Sequence, residues 1–488
     1  MMTASVIAGI FFLSISNGGL ESYPDFFLLP WLSGLAVIMI IPSAILYFQG
    51  KFSIADPLIF ATWSYFFPAF VIGGFFFAVG WSRPAFTALI QDAKNTLPLT
   101  IILVGLGFIG LSAGYLLPIG SGVGRYIAKK LPIANFSNSS LIIPSAFLLV
   151  LGVFNTVIAF GMGIFGFQRL EQAKIYDGLI FMTTLIWIQA TFLLWVIIFR
   201  QNKWSLTFVP VLTLLLGTSL VKVLFAGNRS SIIQIFTVIV LAFVLSGRRF
   251  KFRQSVIAGV LLSAGLLVGM IYGTTFRNIK GTESQQSAKE YFENISTTFE
   301  QIGSNNPYES ISDGFSSLTE RIDILSTLAV VVSSYEELKP FEEAYGLDNN
   351  IWSDLTTFFI PRILWNDKPS ASDPRKYSDL YFSYGESSFA ITSIGDLLRN
   401  FGMVGVPVGM FLLGIILRFI YSSLIEGQKR VTWRLTFYFM LLTSVSYEGF
   451  FGPIIPQFFR VGLITAVSLL IVNFFAKKET LYSESLSA

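Results

Sequence analysis

The sequence predicts an all-α polytopic membrane protein, and three observations carry that prediction. Of its 488 residues, 53% are hydrophobic and only 13% charged, whereas a soluble protein carries about 25% charged residues. Apolar runs close to the roughly 20 residues that cross a bilayer recur along the chain. Basic residues gather in loops that alternate spans would place on one side. Cysteine and histidine are both absent. That excludes a disulfide framework, a thiol nucleophile, a histidine base and the commonest metal ligands. Any catalysis must use Asp, Glu, Lys, Arg, Tyr or backbone groups, and no cofactor is expected. The net charge of +4 follows from the Lys and Arg that cytoplasmic loops collect.

About twelve transmembrane helices are expected. They are Thr3–Ser16, Phe26–Phe48, Pro57–Gly80, Leu99–Leu117, Leu141–Phe165, Gly178–Phe199, Ser205–Phe225, Ser230–Ser246, Ser255–Tyr272, Phe401–Leu424, Trp433–Phe451 and Pro453–Phe475. The first lacks a basic start, so it reads as a short span and not as a cleaved signal peptide. Four basic loops fix the expected orientation: Arg125, Lys129 and Lys130; Arg200 and Lys203; Arg248, Arg249, Lys251 and Arg253; and Arg418, Lys429, Arg430 and Arg434. With twelve spans all four fall on one side, which should be the cytoplasm, with both termini. Three regions follow: a bundle of about nine spans over 1–272, a large outer (periplasmic) loop over 273–390, and about three spans with a cytoplasmic tail over 391–488.

A connection as long as 273–390 is no simple turn. Phe292, Ile295, Phe299 and Ile302 repeat at helical spacing, as do Phe315, Leu318, Ile322 and Leu325. Amphipathic helices lying on the bundle are the expectation. A folded cap without chemistry would show the same pattern.

Charges in or at the edge of membrane helices are costly and mark candidate sites. Arg460 lies about two turns inside the last span, Arg229 opens the eighth, and Lys222 precedes it on the seventh. Arg277 follows the ninth, and Arg321, Arg362 and Lys368 belong to the long loop. Any one of them can be a snorkelling side chain. Several at one membrane level suggest a shared anion, and the planar guanidinium suits phosphate. Glu448 and Asp396 lie at the same level, where a carboxylate can take a proton from a sugar hydroxyl or pair with an arginine. Glu21 and Asp25 form a rival pair that reads as loop solvation. Gly402, Gly405, Gly409 and Gly414 read as helix packing. No phosphate-binding glycine loop or metal motif is present.

The stretch "RIDILSTLAVVVSSYEE", then "IPRILWNDKPSASDP" and "SIGDLLRNFGMVGVPVGMFLLGIILR", together with "GNRSSII", resembles the Wzy-type O-antigen or oligosaccharide repeat-unit polymerases. The block Pro361-Arg362-x-x-Trp365-x-x-Lys368-Pro369 carries most of the resemblance, which covers the chain from Gly227 onward. It implies a metal-independent glycosyltransferase on the periplasmic face of the bacterial inner membrane, joining undecaprenyl-diphosphate-linked repeat units. It implies that Arg229, Arg362, Lys368 and Arg460, with Arg321 and Arg277 behind them, hold the donor diphosphate. Glu448 or Asp396 would be the base, and Trp365, Tyr381 and Tyr384 would stack on sugars. Partners would be the lipid-linked donor and acceptor, the bilayer, a chain-length regulator and a flippase, with no nucleic acid. The competing expectations are a flippase for the same lipids and a scaffold of an export complex.

Overall fold

Inside a bilayer every backbone N–H and C=O must find a partner within the chain, so apolar runs of membrane length fold as helices. The computed structural model describes residues 25–132, 138–162, 164, 176–201, 208–226, 229–280, 288–304, 307–360, 364–365, 368, 372–385 and 388–476, and every regular element among them is helical. In chain order these are α1 (Leu29–Phe48), α2 (Pro57–Ala78), α3 (Ala93–Leu116), α4 (Pro118–Lys130), α5 (Asn138–Gly161), α6 (Asp177–Arg200), α7 (Val209–Ala226), α8 (Arg229–Leu245) and α9 (Phe252–Lys280). There follow α10 (Ala288–Ser304), α11 (Pro307–Ile322), α12 (Ile324–Tyr345), α13 (Asn350–Thr357), α14 (Pro374–Phe382), α15 (Ser393–Leu424), α16 (Thr432–Ser444) and α17 (Ile454–Phe475). Among the described residues eight helices are long and apolar enough to cross a membrane: α1, α2, α3, α5, α6, α9, α15 and α17. Two more, within α7 and α8, are apolar but shorter. The expected first run, Thr3–Ser16, lies outside the described residues.

Glycine lets two of these helices meet backbone to backbone. A Cβ added to Gly110 or Gly114 of α3 would collide with the carbonyl oxygen of Pro407 or Phe411 on α15. One added to Gly414 of α15 would strike the Leu111 carbonyl in return. The small α4, whose Arg125, Lys129 and Lys130 read as loop residues, packs on the same helix, with Gly120 and Gly124 against Ile415 and Phe419. Close approach through small residues is how membrane helices gain packing without a hydrophobic driving force.

The structure corrects four expected boundaries. α15 begins at Ser393, not Phe401, and it is broken at Gly402, where φ is +69° and ψ −169°. The two arms fold together, so that Leu397 packs on Gly409, although a straight helix would hold them about 18 Å apart. α16 ends at Ser444, and residues 445–453 are non-helical where a span to Phe451 was expected. α9 runs on to Lys280 instead of ending near Tyr272. The apolar repeat Phe315 to Leu325 is cut at Asp323, which ends α11 and caps α12.

α10 does fold as an amphipathic helix, with Ile295 and Ile302 against the cluster of Phe160, Tyr272, Phe276 and Tyr291, and with Phe292 and Phe299 exposed. α12 departs from a surface cap. Its residues 324–332 are all buried in the main core with Phe66, Phe70, Leu97 and Val104. The long segment therefore sends one helix into the bundle.

Asp323 fixes where α12 enters. Its carboxylate accepts from Ser326 N at 3.1 Å and Ser82 Oγ at 2.8 Å, and it is buried. Burial pushes its pKa from 3.8 up to about 6, against the hydrogen bonds that pull it down. A carboxyl raised in the folded state adds stability below its unfolded pKa and loses it as pH rises through the folded one. Thermal stability in detergent should therefore fall by an amount on the order of 2–3 kcal/mol between pH 4 and pH 7 through this group, and Asp323→Asn should flatten that part of the profile.

Gly114→Val should lower the melting temperature sharply, because the neighbouring atom is backbone and cannot swing aside; a cost of about 3 kcal/mol or more is expected. Gly402→Ala meets no atom but must hold a glycine-only backbone, so about 1–3 kcal/mol is expected there. Fluorescence-detected size exclusion after heating measures both.

Candidate functional site

The non-helical 445–453 segment organises the polar end of the bundle. Its carbonyls at Glu448 and Tyr447 accept from Thr392 N at 3.0 Å and Ser393 N at 2.9 Å, which are otherwise unsatisfied at the start of α15. Thr392 caps that helix through its hydroxyl onto Gly395 N, with φ +62° and ψ 146°. A β-branched residue with positive φ is strained, and such strain concentrates at functional sites.

Below this crossing lies a buried ionic network. Asp396 has no exposed surface and Arg399 almost none. Asp396 Oδ1 accepts from Arg399 Nη2 at 3.0 Å and from Asn350 Nδ2 at 3.0 Å. Asp396 Oδ2 accepts from the backbone N–H of Phe451 at 2.8 Å and Gly452 at 3.3 Å. Arg399 Nη1 donates to Glu342 Oε1 at 2.6 Å, and the same oxygen takes the Tyr381 hydroxyl at 2.8 Å. Asn400 completes the knot on Asn350 Oδ1 at 2.8 Å. The rings of Tyr377, Tyr381 and Phe450 surround the guanidinium at 5.8, 6.0 and 5.9 Å, a cation–π distance. Burial pushes the Glu342 carboxyl above its ordinary range, while Arg399 pulls it back.

Two open features flank the network. On one side Arg321 Nη2 meets Glu448 Oε1 at 2.5 Å, with the side chains 59% and 38% exposed. An exposed pair of this kind adds little stability, so it is free to trade partners. On the other side Asp354 accepts from Ser372 Oγ at 2.5 Å. Burial raises the Asp354 carboxyl, and Arg460 and Lys368 lower it. Lys368 Nζ also donates to the carbonyls of Thr357 at 2.8 Å and Ile360 at 3.1 Å, at the end of α13. Arg460 is exposed on α17, beside the contact of Phe459 with Phe358 at 5.3 Å.

The sequence candidates are thus distributed unevenly. Lys368 and Arg460 both act electrostatically on Asp354. Arg321 is bound to Glu448. Asp396 is buried with both oxygens occupied, so it positions Arg399 and the 451–452 turn and has no face for a substrate. Tyr381 is also buried, its hydroxyl on Glu342, and it offers no ring face to a sugar. Trp365 and Tyr384 keep exposed rings. Arg362 and the side chains of Arg229 and Arg277 lie outside the described residues. Lys222 is buried over the Trp187 ring at 3.8 Å and donates to Gln234 Oε1 at 3.0 Å. Asp25 of the rival acidic pair is bound to Arg83 at 3.0 Å. Sequence reasoning missed Glu342, Asn350 and Asp354. The signal that could have found the network is the i, i+3, i+4 spacing of Asp396, Arg399 and Asn400, which puts them on one face of a helix once α15 starts at Ser393.

A family model described as "Domain of unknown function (DUF8712)" matches residues 139–427. That stretch contains the buried network's helical members and Arg321, and it stops before Glu448 and Arg460. No curated protein and no solved structure matches the chain.

Removing one partner of a buried ion pair leaves the other uncompensated. Asp396→Ala should cost about 3–5 kcal/mol and strip the turn at Phe451 of its acceptor. Glu448→Gln, in a half-exposed pair, should cost under about 1 kcal/mol. Thermal melts of the two purified variants distinguish a scaffold carboxylate from a working one.

Proposed function

The chain belongs to the DUF8712 family, and we propose that it is a polysaccharide polymerase: a glycosyltransferase that joins undecaprenyl-diphosphate-linked oligosaccharide units on the periplasmic face of the bacterial inner membrane. The observation that carries this reading is the half-exposed ion pair of Glu448 with Arg321, held on a buried ionic network in an apolar helical bundle. The block around Arg362, Trp365 and Lys368 adds the resemblance to Wzy-type polymerases. In this reading the bundle has about twelve spans, the 273–390 segment lies outside and both termini lie inside.

The acceptor hydroxyl gives its proton to Glu448, and its oxygen attacks the anomeric carbon of the donor glycan. The sugar–phosphate bond breaks, and the lipid diphosphate leaves with the electron pair. Lys368 and Arg460, with Arg362, Arg229 and Arg277, hold its growing negative charge. Arg321 holds Glu448 in place until the hydroxyl arrives. Asp396 is the scaffold and Glu448 the base, because only Glu448 has an exposed oxygen. Trp365 and Tyr384 offer the ring faces for sugar.

Polymer length on gels from a deletion strain tests the reading. Glu448→Gln and Arg460→Ala at normal protein level should leave single repeat units, a loss of at least about a hundredfold for a base. Long polymer in both variants contradicts the assignment, and glycan trapped on the cytoplasmic side of the deletion strain indicates a flippase instead.

A further inference from the structure

Beside this site, stacked on Tyr447, lies the phenol of Tyr65. Tyr65 lies in the stretch Thr62–Ile72 of α2, which is π-helical and contains Pro68. Proline removes a ladder donor, and π-helical turns occur often at functional sites. The Tyr65 ring is held from three directions. It stacks on Tyr447 at 5.7 Å and meets Phe66 and Phe70 edge-on at 5.3 and 5.8 Å. Tyr447 is the residue before Glu448, so the ring is clamped to the segment that carries the carboxylate.

The hydroxyl differs from the ring. It is buried and has no hydrogen-bond partner among the described residues. The charged groups near enough to act on it are Glu448 and Arg321. A buried hydroxyl left unsatisfied costs free energy that a phenylalanine of the same shape would avoid. Three independent features therefore meet at one point: a half-exposed ion pair, a distorted helix and an unpartnered hydroxyl.

We infer that the Tyr65 hydroxyl is a ligand-contacting group of the Arg321–Glu448 site, bonding a sugar hydroxyl adjacent to the one that Glu448 deprotonates. The inference rests on the polymerase reading and deepens it by naming a residue that selects the acceptor. The chemistry suits a neutral diol. Glu448 can only accept a hydrogen bond and Arg321 can only donate, whereas a phenol does either. A site built to bond a substrate hydroxyl rejects an analogue without it, because its own polar group is then left unpaired.

Tyr65→Phe is the test, because it keeps the ring packing and removes only the hydroxyl. The full-length chain is assayed in membranes from a deletion strain, with lipid-linked oligosaccharide extracted from that strain as the probe. Chain-lengthening rate is read at low and saturating probe, and melting temperature is read on the purified variant. The melting temperature should stay level or rise, while the rate at low probe falls about tenfold and recovers in part at saturation. A melting temperature lowered by several degrees would mean that the hydroxyl is structural and overturns the inference. So does a parental rate in Tyr65→Phe when Glu448→Gln abolishes lengthening. If Glu448→Gln and Arg321→Ala also keep the parental rate, the assignment of the base falls, and that of Tyr65 falls with it.

Discussion

The polar end of this protein depends on the saturation of one carboxylate. Asp396 takes hydrogen bonds from Arg399, Asn350 and two backbone N–H groups of the 451–452 turn. They come from three parts of the chain: α15 itself, the start of α13 and the 451–452 turn. Through Arg399 the network reaches Glu342 on α12, and through Glu342 it reaches Tyr381 on α14. A charge buried this completely is tolerated only when all its partners are present. The network therefore behaves as a lock: α12, α13, α14, α15 and the 445–453 segment are all in place, or the charge is uncompensated. Glu448 sits three residues before the locked turn, which explains how an exposed carboxylate on non-helical backbone is held in register.

The lock needs the chain to reach it from two directions. α15 does so by folding its first arm back at Gly402, which only a glycine permits at that φ and ψ. α12 does so by entering the bundle with nine successive buried residues, 324–332. α15 is apolar enough to span a membrane, whereas α12 is not among the helices of that kind. Both are stabilised by packing into a bundle whose axis is the glycine contact between α3 and α15. Irregular backbone is acceptable in a membrane bundle where it is enclosed by protein, and the 445–453 segment has such shelter where Phe451 and Gly452 donate to buried Asp396.

Hydropathy made most of the helices legible, because length and apolarity alone decide whether a segment can satisfy its backbone in lipid. The apolar periodicity of α10 was legible for the same kind of local reason. What stayed hidden is long-range. Glu342 and Asn350 look like ordinary loop polar residues until α15 is placed beside them. Leu397 and Gly409 give no sign that they touch. The serines and threonines in α12 disguise it as a surface helix, since their hydroxyls bond to the preceding turn, as Ser334 does to Val330, and so cost little when buried. Among the site residues, the difference between buried Asp396 and half-exposed Glu448 was not legible, because exposure is a property of the fold and not of the residue.

The central claim is that this bundle joins lipid-linked glycans at Glu448 and does not merely carry them. The most direct measurement is reconstitution of the purified full-length chain in lipid vesicles with the extracted lipid-linked oligosaccharide as the only glycan. The account predicts a ladder of products, each one repeat unit longer than the last, with free lipid diphosphate released in step. Single units that remain unjoined, or that cross the bilayer without lengthening, would contradict it.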